Sequence, residues 1–350
     1  MTVRYSIEEF DPTTATDDDF RARWEHSETI ARELAPEDPP TPFEQYRKEM
    51  LEVPSHSKPL YWVAWDGDRK HALGSAGLDR EYTESNRHLS WFGISVDPDA
   101  RRQRIGTDLL ARIVEAARDD SRTILGGSTV DGQAGDAFAV ANGFDKKMTD
   151  RKSRLHLADV DRARLESWVE DAKTQAAGYE LVAVDGPLPD DLLEPFVAMY
   201  HVTNTAPRDD LDMEDRVETP ERFRERQELD AKQGYSVWRV IVRHAESGEM
   251  AGFTEFWFLP HSQEMAWQGW TAVVPSHRGK GLGRWLKAVN CLRLMDERPE
   301  VADVYTDNAF SNGPMLAINI DMGFELLRAH NMWQAPVDRL AEVTKERLGR

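Results

Sequence analysis

The sequence predicts an α+β (mixed α/β) protein that is built from two copies of one fold. Short strand-like runs are followed by helical runs with apolar residues three or four positions apart, and this order occurs twice. Pro98 precedes Gly106 as Pro275 precedes Gly283, because 275 − 98 and 283 − 106 both equal 177. One repeat of such length indicates a duplicated domain rather than a solenoid.

The first half opens with a predicted strand over residues 3–10. A helix that begins at an aspartate cluster is predicted over residues 17–34, and a second helix over residues 43–51. Further strands are predicted over residues 60–65, 72–79, 88–96, 123–130 and 154–157, with a helix opening at residues 101–106 and a helical turn over residues 137–142.

A polar helix over residues 159–177 separates the two copies, and Gly178 ends it. The same order then restarts with a strand over residues 179–184 and with helices that begin near Pro189 and Thr219. Three strands follow, over residues 235–242, 250–259 and 265–274. We therefore predict an N-terminal domain over residues 1–158, a linker helix over residues 159–178 and a C-terminal domain over residues 179–350.

The most specific motif is a basic, glycine-rich turn between a β-branched strand and an amphipathic helix. Glycines at every second position leave the backbone amides unobstructed by Cβ atoms; they are Gly279, Gly281 and Gly283. Amides at the start of the following helix attract anions. Three cations surround them, Arg278, Lys280 and Arg284. The motif predicts a phosphate-binding site, since a turn that only joins a strand to a helix has no need of three cations.

Two other phosphate-binding motifs are excluded by spacing. A P-loop requires Gly-x-x-x-x-Gly-Lys-Ser/Thr, which the chain lacks. A dinucleotide fingerprint requires Gly-x-Gly-x-x-Gly, whereas these glycines are spaced Gly-x-Gly-x-Gly.

Composition and charge narrow the class of protein. The 350 residues include 63 acidic and 44 basic ones, a net charge of −19, so nucleic acid and anionic membranes are not expected as partners. The single cysteine, Cys291, allows neither an intramolecular disulfide nor a cysteine metal cluster, and we expect a buried thiol and no metal. The sequence has no run long enough for a transmembrane helix and no signal-peptide pattern, so we expect a cytoplasmic protein. We further expect a monomer or a homodimer.

The glycine-rich turn and a downstream helix together resemble the GCN5-related N-acetyltransferases. Residues 274–283 read Val-Pro-x-x-Arg-Gly-x-Gly-x-Gly, and residues 306–324 form an asparagine-led helix that ends in Gly-Phe. The first half matches only in outline. The duplication resembles the tandem acetyltransferases of actinobacteria, such as mycothiol synthase.

The resemblance implies a mixed, mostly antiparallel sheet flanked by helices in each half, with acetyl-CoA as the acyl-donor substrate. The strand before the turn then splays from its neighbour, and the pantetheine arm enters the gap. Backbone groups of Ala272, Val273 and Val274 are expected to hold the pantetheine. The pyrophosphate is assigned to the turn, that is to Arg278, Gly279, Lys280, Gly281, Leu282, Gly283 and Arg284. Asn312, with Asn308 nearby, is expected to bind the coenzyme beside its pantetheine arm.

The turn of the first half differs from that of the second. Arg102 and Arg104 stand where the second half has Gly279 and Gly281. We expect a side chain at Arg104 to crowd the amides and to disfavour their backbone angles. We favour the hypothesis that the first half has no catalytic activity and acts as a structural or substrate-shaping partner. The alternatives are that it is a second active site or that it binds coenzyme without turnover.

Acyl transfer to an amine needs deprotonation of the amine, a donor for the oxyanion and a route for the leaving thiolate. The resemblance implies direct attack in a ternary complex, with the N–H of Val274 as oxyanion donor. The family's leaving-group acid is a tyrosine four residues before the Gly-Phe glycine, and here that position is Asn319. An amide can donate a hydrogen bond to sulfur but cannot protonate it, so Asn319 is either a sulfur ligand or a structural residue.

Candidates for the general base are acidic residues on or near the central strands. Glu255 lies among aromatic residues of a predicted strand, where a carboxylate could have a raised pKa, and the alternative is that it faces solvent. Glu264 and Asp307 are the second and third choices. The chain also resembles a subgroup of the family that has His-Arg-Gly before the turn and an Asn-x-x-Met-x-x-x-Asn helix after it. That subgroup tends to carry an acidic residue at the position of Trp270, which is apolar here.

The resemblance places the acceptor over the segment of residues 199–211. Acidic residues at the end of this segment and just after it could attract a cationic amine, although a solvated loop is the simpler interpretation; they are Asp209, Asp210, Asp212 and Glu214. Four tryptophans are candidates for an aromatic pocket, Trp257, Trp267, Trp270 and Trp285, and they are equally candidates for the core.

The leading hypothesis is an acetyl-CoA-dependent N-acetyltransferase whose C-terminal domain acetylates the amine of a small molecule: a metabolite, a natural-product intermediate or an antibiotic. An aminoacyl-tRNA-dependent transferase also uses paired copies of this fold, but the net charge argues against it. A non-catalytic acyl-CoA-binding sensor remains a third hypothesis, because the leaving-group tyrosine is missing.

Overall fold

The structure is a computed structural model that describes residues 4–349. The elements of the first part of the chain are β1 (Tyr5–Glu9), α1 (Asp17–Leu34), α2 (Phe43–Leu51), β2 (Leu60–Asp66), β3 (Ala72–Leu78), β4 (Leu89–Val96), α3 (Ile105–Asp119), β5 (Ile124–Val130), α4 (Ala134–Ala141) and β6 (Asp145–His156). Those of the remainder are α5 (Arg162–Gln175), β7 (Tyr179–Asp185), α6 (Asp190–Tyr200), α7 (Pro220–Gln233), β8 (Ser236–His244), β9 (Met250–Phe258), β10 (Met265–Val273), α8 (Leu282–Glu297), β11 (Asp303–Ala309), α9 (Gly313–Met322), β12 (Glu325–Pro336) and α10 (Val337–Leu348).

Most predicted elements agree with the structure to within a few residues. Helix α1 begins after Thr16, whose side chain accepts a hydrogen bond from the Asp19 N–H in a capping box. Of the predicted first strand, Val3 lies outside the described residues. The last strand of the first half is much longer than the predicted residues 154–157, and β12 and α10 were not predicted at all.

The chain forms two compact units that are not contiguous in sequence. The first unit comprises residues 1–149, 209–215 and 330–350, and the second comprises residues 150–208 and 216–329. The predicted domain ranges, 1–158, 159–178 and 179–350, do not coincide with these units. The difference arises because the last strand and helix of the chain cluster with the first unit, whereas the second part of β6 clusters with the second unit.

The first unit contains a mixed sheet in the order β1-β2-β3-β4-β5-β12, in which β4 and β5 are parallel and the other pairs are antiparallel. Residues 330–336 of β12 pair with residues 124–130 of β5. Trp333 and Leu340, from β12 and α10, are buried in the same apolar cluster as Leu109 and Ile113 of α3. Burial of these side chains holds the end of the chain in this unit.

The second unit repeats this plan in the order β7-β8-β9-β10-β11-β6, with β10 and β11 parallel and the other pairs antiparallel. Both units thus have the predicted mixed, mostly antiparallel sheet with flanking helices. Helices α5 and α8 cover one face of this second sheet, where Cys291 packs with Phe256, Ala266 and Val304.

Helix α6 covers the opposite face of the second sheet, where Phe196 and Tyr200 pack with Phe253. Successive side chains of a strand point to opposite faces. Residues 253, 255 and 257 of β9 therefore face α6 and α7, and residues 254, 256 and 258 face α8. This alternation decides which polar side chains meet at the site.

Candidate active site

Strands β10 and β11 pair over only three residues and then separate. The pairs are Met265 with Asp303, Ala266 with Val304 and Trp267 with Tyr305. Beyond them β10 continues along β9 to Val273, whereas β11 continues along β6 to Ala309. The Thr306 hydroxyl donates to the carbonyl of Gln268 over 3.1 Å at the point of separation. The predicted gap between the strand before the glycine turn and its neighbour is therefore present.

The gap opens into a cleft of about 1090 Å³ within the second unit. Its walls come from the two separated strands, the glycine turn, the start of α8 and the start of α9. Residues from the segment after α6, among them Thr203 and Pro207, close one side. A cleft of this size and mixed lining is typical of a site for a large organic ligand.

The glycine turn has the backbone conformation that an amide nest requires. Gly279 and Gly281 have φ of +80° and +72°, in the left-handed region, and Gly281 is the N-cap of α8. A Cβ at Gly281 would lie 2.7 Å from the Gln175 side-chain oxygen, which closes the turn from the α5 side. The amides that follow point out of the helix start, where they can bind an anion.

The three predicted cations have different environments. Arg278 donates from Nε to the Val273 carbonyl (2.9 Å) and from Nη2 to the Thr205 hydroxyl (2.9 Å), so it braces the turn against the strand end. Arg284 forms an ion pair with Asp321 of α9 at 3.1 Å. Lys280 is exposed at the turn. All three leave positive charge at the mouth of the cleft, but Arg278 and Arg284 also have structural partners.

The backbone of β10 corrects one predicted role. The N–H of Val274 donates to the Ala251 carbonyl of β9 over 2.8 Å, so it is not available as an oxyanion donor, and Val274 does not line the cleft. Backbone groups alternate in direction along a strand of an antiparallel pair. The N–H groups of Val273 and Thr271 therefore point away from β9, toward the gap. Thr271, which was not predicted, replaces Val274 beside Ala272 and Val273 in the lining.

Three asparagines of residues 306–324 lie in two layers at the end of β11. Asn308 and Asn312, which were predicted to bind the coenzyme, both line the cleft, and Asn312 is the N-cap residue of α9. Asn319 is buried behind them and outside the lining; its Nδ2 donates to Asn308 Oδ1 over 2.6 Å. Of the two predicted roles of Asn319, the structure supports the structural one, because the side chain contacts Asn308 rather than the cleft.

Glu255 lines the cleft, but its surroundings differ from the prediction. It neither faces solvent nor lies alone among aromatic rings, because Oε2 is paired with the equally buried Arg239 guanidinium at 3.2 Å. Its other oxygen accepts the N–H of Trp270 at 3.4 Å, where β10 bulges away from β9. A Cβ at Gly269 would lie 2.9 Å from this carboxylate oxygen, so the glycine admits Glu255 to the bulge.

Of the other two candidate bases, only one lines the cleft. Glu264 is exposed before β10 and does not line the cleft. Asp307 lines the cleft from β11. Because Tyr305 packs against Trp267 on the α6 side of the sheet, Asp307, two residues on, projects to the same side as Glu255.

A buried polar group on the α8 side of the cleft was missed at the sequence level. Lys287 is 1 % exposed and lines the cleft, and its Nζ forms no hydrogen bond with any residue of the described chain. Gln268 lines the same wall, and its side-chain oxygen likewise has no hydrogen-bond donor among these residues. The available signal was the position of Lys287, four residues after Gly283 and four before the apolar Cys291.

Aromatic and hydroxyl groups line the cleft on the α6 side. Trp257, Trp267 and Trp270 belong to this lining, whereas Trp285 packs in an apolar cluster under the sheet. Burial raises the pKa of the Tyr200 phenol, so this cleft hydroxyl stays protonated at neutral pH. Three of the four candidate tryptophans therefore line the cleft, and the fourth packs in the core.

The predicted acidic segment near residue 210 has its own contacts within the first unit. Residues 209–215 cluster with the first unit. Asp212 contacts the His88 ring at 3.1 Å, and Glu214 accepts the Asn86 N–H at 2.6 Å. Asp212 and Glu214 thus have structural partners, and none of residues 209–215 lines the cleft.

The turn of the first unit keeps its backbone despite its arginines. Arg102 and Arg104 have φ of +65° and +70°, close to the values of Gly279 and Gly281. The arginine side chains therefore do not prevent these angles, because the left-handed region costs a non-glycine residue only about 1–2 kcal/mol.

What differs in the first unit is the space beside the turn. Phe92 follows Trp91 in β4 as Gln268 follows Trp267 in β10, and Trp91 and Trp267 occupy the same place in the two parallel strand pairs, so Phe92 corresponds to Gln268. A Cβ at Gly127 would lie 3.1 Å from the Phe92 ring, and one at Gly106 would lie 3.1 Å from the Phe138 ring. Aromatic side chains thus fill the region where the second unit has its cleft.

Two further residues of the second unit have structural roles. His277, in the turn, contacts the Tyr179 hydroxyl at 2.8 Å and Glu249 at 3.5 Å, in keeping with packing at the strand end. Cys291 is fully buried, as predicted, and burial raises the pKa of its thiol to about 12. A thiol with such a pKa is not a nucleophile at neutral pH.

No helix among residues 4–349 combines the length and apolarity needed to cross a membrane. The site combines a glycine turn with outward-pointing amides, a gap beside a strand edge and a cleft with a carboxylate and an amine. Such a set can hold a long phosphorylated ligand and polarise a carbonyl group beside a strand N–H.

Comparison with known proteins agrees with this architecture. The model of the acetyltransferase (GNAT) family matches residues 21–144 and 197–309. A tandem GNAT protein from the clavulanic acid biosynthesis pathway has a similar structure, with 23% identity, a TM-score of 0.77 and coverage of 95% of this chain and 99% of that chain.

Two further solved structures share the fold. A GCN5-related N-acetyltransferase from Sphaerobacter thermophilus is 13% identical with a TM-score of 0.63, covering 95% of this chain and 96% of that chain. A putative acetyltransferase from Pyrococcus horikoshii is 15% identical with a TM-score of 0.52, covering 95% and 89%. A search of curated proteins found no match.

Proposed function

Because the chain belongs to the acetyltransferase (GNAT) family, we propose that it transfers an acetyl group from acetyl-CoA to the amine of a small molecule. We place the reaction in the second unit. The observation that supports this choice is the cleft between β10 and β11, which begins at the glycine turn and has no aromatic plug. The first unit, filled by Phe92 and Phe138, is then a structural partner.

The donor half of the reaction uses the turn and the strand edge. Amides from Gly279 to Arg284 bind the pyrophosphate, with Lys280 adding exposed positive charge. The pantetheine arm follows the gap and exchanges hydrogen bonds with the strand backbone, which points toward the gap at Thr271 and Val273. Asn308 and Asn312 contact the arm from the β11 side.

Chemistry takes place where the strands separate. The amine attacks the thioester carbonyl carbon, and a strand N–H, from Thr271 or Val273, stabilises the oxyanion. Glu255 is the proposed base, since one carboxylate oxygen lines the cleft at the bulge while Arg239 fixes the other. Asp307, on the same side of the sheet, is the second candidate.

The acceptor is proposed to enter from the α6 side. Trp257, Trp267 and Trp270 offer flat apolar surfaces, and Trp270 is 43 % exposed. These rings and the Glu255 carboxylate suit an amine that carries a ring or an extended apolar part. One protein of similar structure comes from the clavulanic acid biosynthesis pathway, which supports testing natural-product amines among the acceptors.

The test is release of free CoA from acetyl-CoA across a panel of amines, followed by mass spectrometry of the acceptor. We expect an acetylated product with at least one aromatic or cyclic amine. If acetyl-CoA binds but no amine in a broad panel is acetylated, the chain is an acyl-CoA-binding sensor rather than an enzyme. If acetyl-CoA does not bind to the second unit, the donor assignment is wrong.

A further inference from the structure

Lys287 is a buried amine that the mechanism above does not use. It lies on α8, lines the cleft and is 1 % exposed. Its Nζ has no hydrogen-bond partner within the described chain and lies 5.5 Å from the centre of the Phe324 ring. An ammonium group buried without an anion or an acceptor is costly, so it is retained where it contacts a ligand or has a chemical role.

The position of Lys287 along α8 can be fixed from its neighbours. Cys291, one turn toward the C-terminus, packs with Ala266 and Val304, which form a registered pair in the closed part of the β10–β11 junction. Gly283, one turn toward the N-terminus, is in the glycine turn, and a Cβ there would lie 3.4 Å from Ile318 of α9. Lys287 therefore lies over the point where the strands separate, between the anion-binding turn and the closed junction.

The groups that face Lys287 are polar but do not titrate near neutral pH. Gln268 and Thr306 lie two residues beyond Ala266 and Val304, so they project from the α8 face of the sheet toward this helix. Asp307 projects to the opposite face. From the described chain, Cys291 is the titratable group that acts on the amine, and burial outweighs it, lowering the pKa of Lys287 to about 7.

The duplication supplies an internal comparison. The residue that corresponds to Lys287, 177 positions earlier, is Leu110, which is fully buried in the core of the first unit. The same helix position is thus occupied by an apolar side chain in the first unit, where aromatic side chains fill the corresponding space. The amine occurs in the unit that has an open cleft.

From this geometry we propose that Lys287 is a catalytic residue that donates a proton to the thiolate of coenzyme A as it leaves. The inference rests on the proposed function. Lys287 would provide the acidic proton that Asn319 cannot, since Asn319 has no acidic proton and lies behind Asn308.

The step is balanced in atoms and electrons. The amine nitrogen forms a bond to the thioester carbonyl carbon, the C–S bond breaks, and the electron pair of that bond stays on sulfur. The Lys287 ammonium gives one proton to sulfur and becomes neutral. The nitrogen of the product gives one proton to Glu255 or to water, and Lys287 is protonated again from solvent once the thiol has left.

The first experiment measures ionisation of the bound thiol without turnover. The thiolate of CoA is titrated by its ultraviolet absorbance in complex with the wild type, with Lys287→Met and with the exposed control Lys173→Met. An ammonium beside the sulfur lowers the thiol pKa, so we expect a lower value for CoA bound to the wild type and to Lys173→Met than to Lys287→Met. Equal values in all three complexes would overturn the proposal.

The second experiment compares binding and turnover. Affinities for CoA and for desulfo-CoA are measured by calorimetry, and we expect Lys287→Met to remove the preference for CoA while desulfo-CoA binds as in the wild type. With an active amine, kcat should fall about 100-fold with little change in the acceptor KM. A variant that keeps the wild-type kcat shows that Lys287 is structural. Failure of the wild type to bind CoA would instead refute the donor site itself.

Discussion

The side-chain Nδ2 of Asn319 donates a hydrogen bond to Oδ1 of Asn308 over 2.6 Å, from a position that is 2 % exposed. This bond uses the acceptor of Asn308 and leaves its amide N–H groups to face a ligand. Asn319 therefore acts on the cleft through Asn308, and it is a positioning residue.

Replacing Asn319 by Ala should weaken CoA binding several-fold and lower the free energy of unfolding by about 1–2 kcal/mol, because Asn308 loses the bond that orients it. Calorimetry and urea unfolding measure the two effects. Asn312→Ala is the matched variant, since Asn312 lines the cleft but has no side-chain capping bond. It should weaken binding without the loss of stability; if Asn319→Ala binds CoA as the wild type does, the two-layer arrangement has no bearing on the ligand.

Replacing Gly281 by Trp should abolish CoA binding and turnover, because the ring would fill the amide nest. The fold should survive, since Arg104 adopts nearly the same left-handed conformation in the first unit and the Gln175 side chain that a Cβ would meet can move. Arg104→Trp is the matched control and should leave CoA affinity and activity unchanged. Activity that survives Gly281→Trp and is lost on changing Arg104 or Gly106 would move the active site to the first unit.

Replacing Glu255 by Gln should reduce kcat about 100-fold and remove the acidic limb of the pH–rate profile, because the proposed base is lost. The variant should also be less stable by about 3 kcal/mol, since Arg239 is left as an unpaired buried charge. The double variant Glu255→Gln with Arg239→Met should recover stability but not activity. An unchanged pH profile in the single variant would remove Glu255 from the mechanism and favour Asp307.

The buried amine of Lys287 should affect how stability depends on pH. Its pKa is about 7 in the folded protein against 10.5 for an ordinary lysine, so the unfolded chain binds more protons between these values. The cost of burial is therefore full below pH 7 and disappears as the pH rises toward 10.5. We expect Lys287→Met to be more stable than the wild type by a few kcal/mol near pH 7, with the difference shrinking at higher pH. Chemical unfolding at pH 6, 8 and 9.5 measures this, and a difference that is constant across these values would show that the folded-state pKa is not depressed.

Local sequence patterns predicted the elements that depend on neighbouring residues. The helix after Thr16, the helix over residues 43–51 and the strand–turn–helix around Gly281 were all predicted, because capping residues, apolar spacing and glycines are each read within one or two turns of the chain. The strands near the end of the chain were missed, since their pairing partners lie about two hundred residues away in sequence, as with Asn331 and Thr129.

The roles predicted for individual residues were wrong where a residue on another strand made the deciding contact. Val274 has the right place in the motif, but the Ala251 carbonyl takes its N–H. Arg104 was expected to crowd the amides of the first turn and to disfavour their angles, but its backbone keeps the left-handed angle, and Phe92 closes the space instead. In each case the deciding partner lies on another strand, which residue type and spacing do not reveal.

The duplication, the mixed fold and the glycine turn before α8 could be predicted from the sequence, because they follow from periodicity and from the chemistry of ten consecutive residues. The tertiary structure alone decided that Glu255 is paired with Arg239, that Asn319 lies behind Asn308 and that Lys287 is buried over the strand separation. The physical reason is that burial and charge pairing depend on which side chains the folded sheet and helices bring together, and those side chains are distant in sequence.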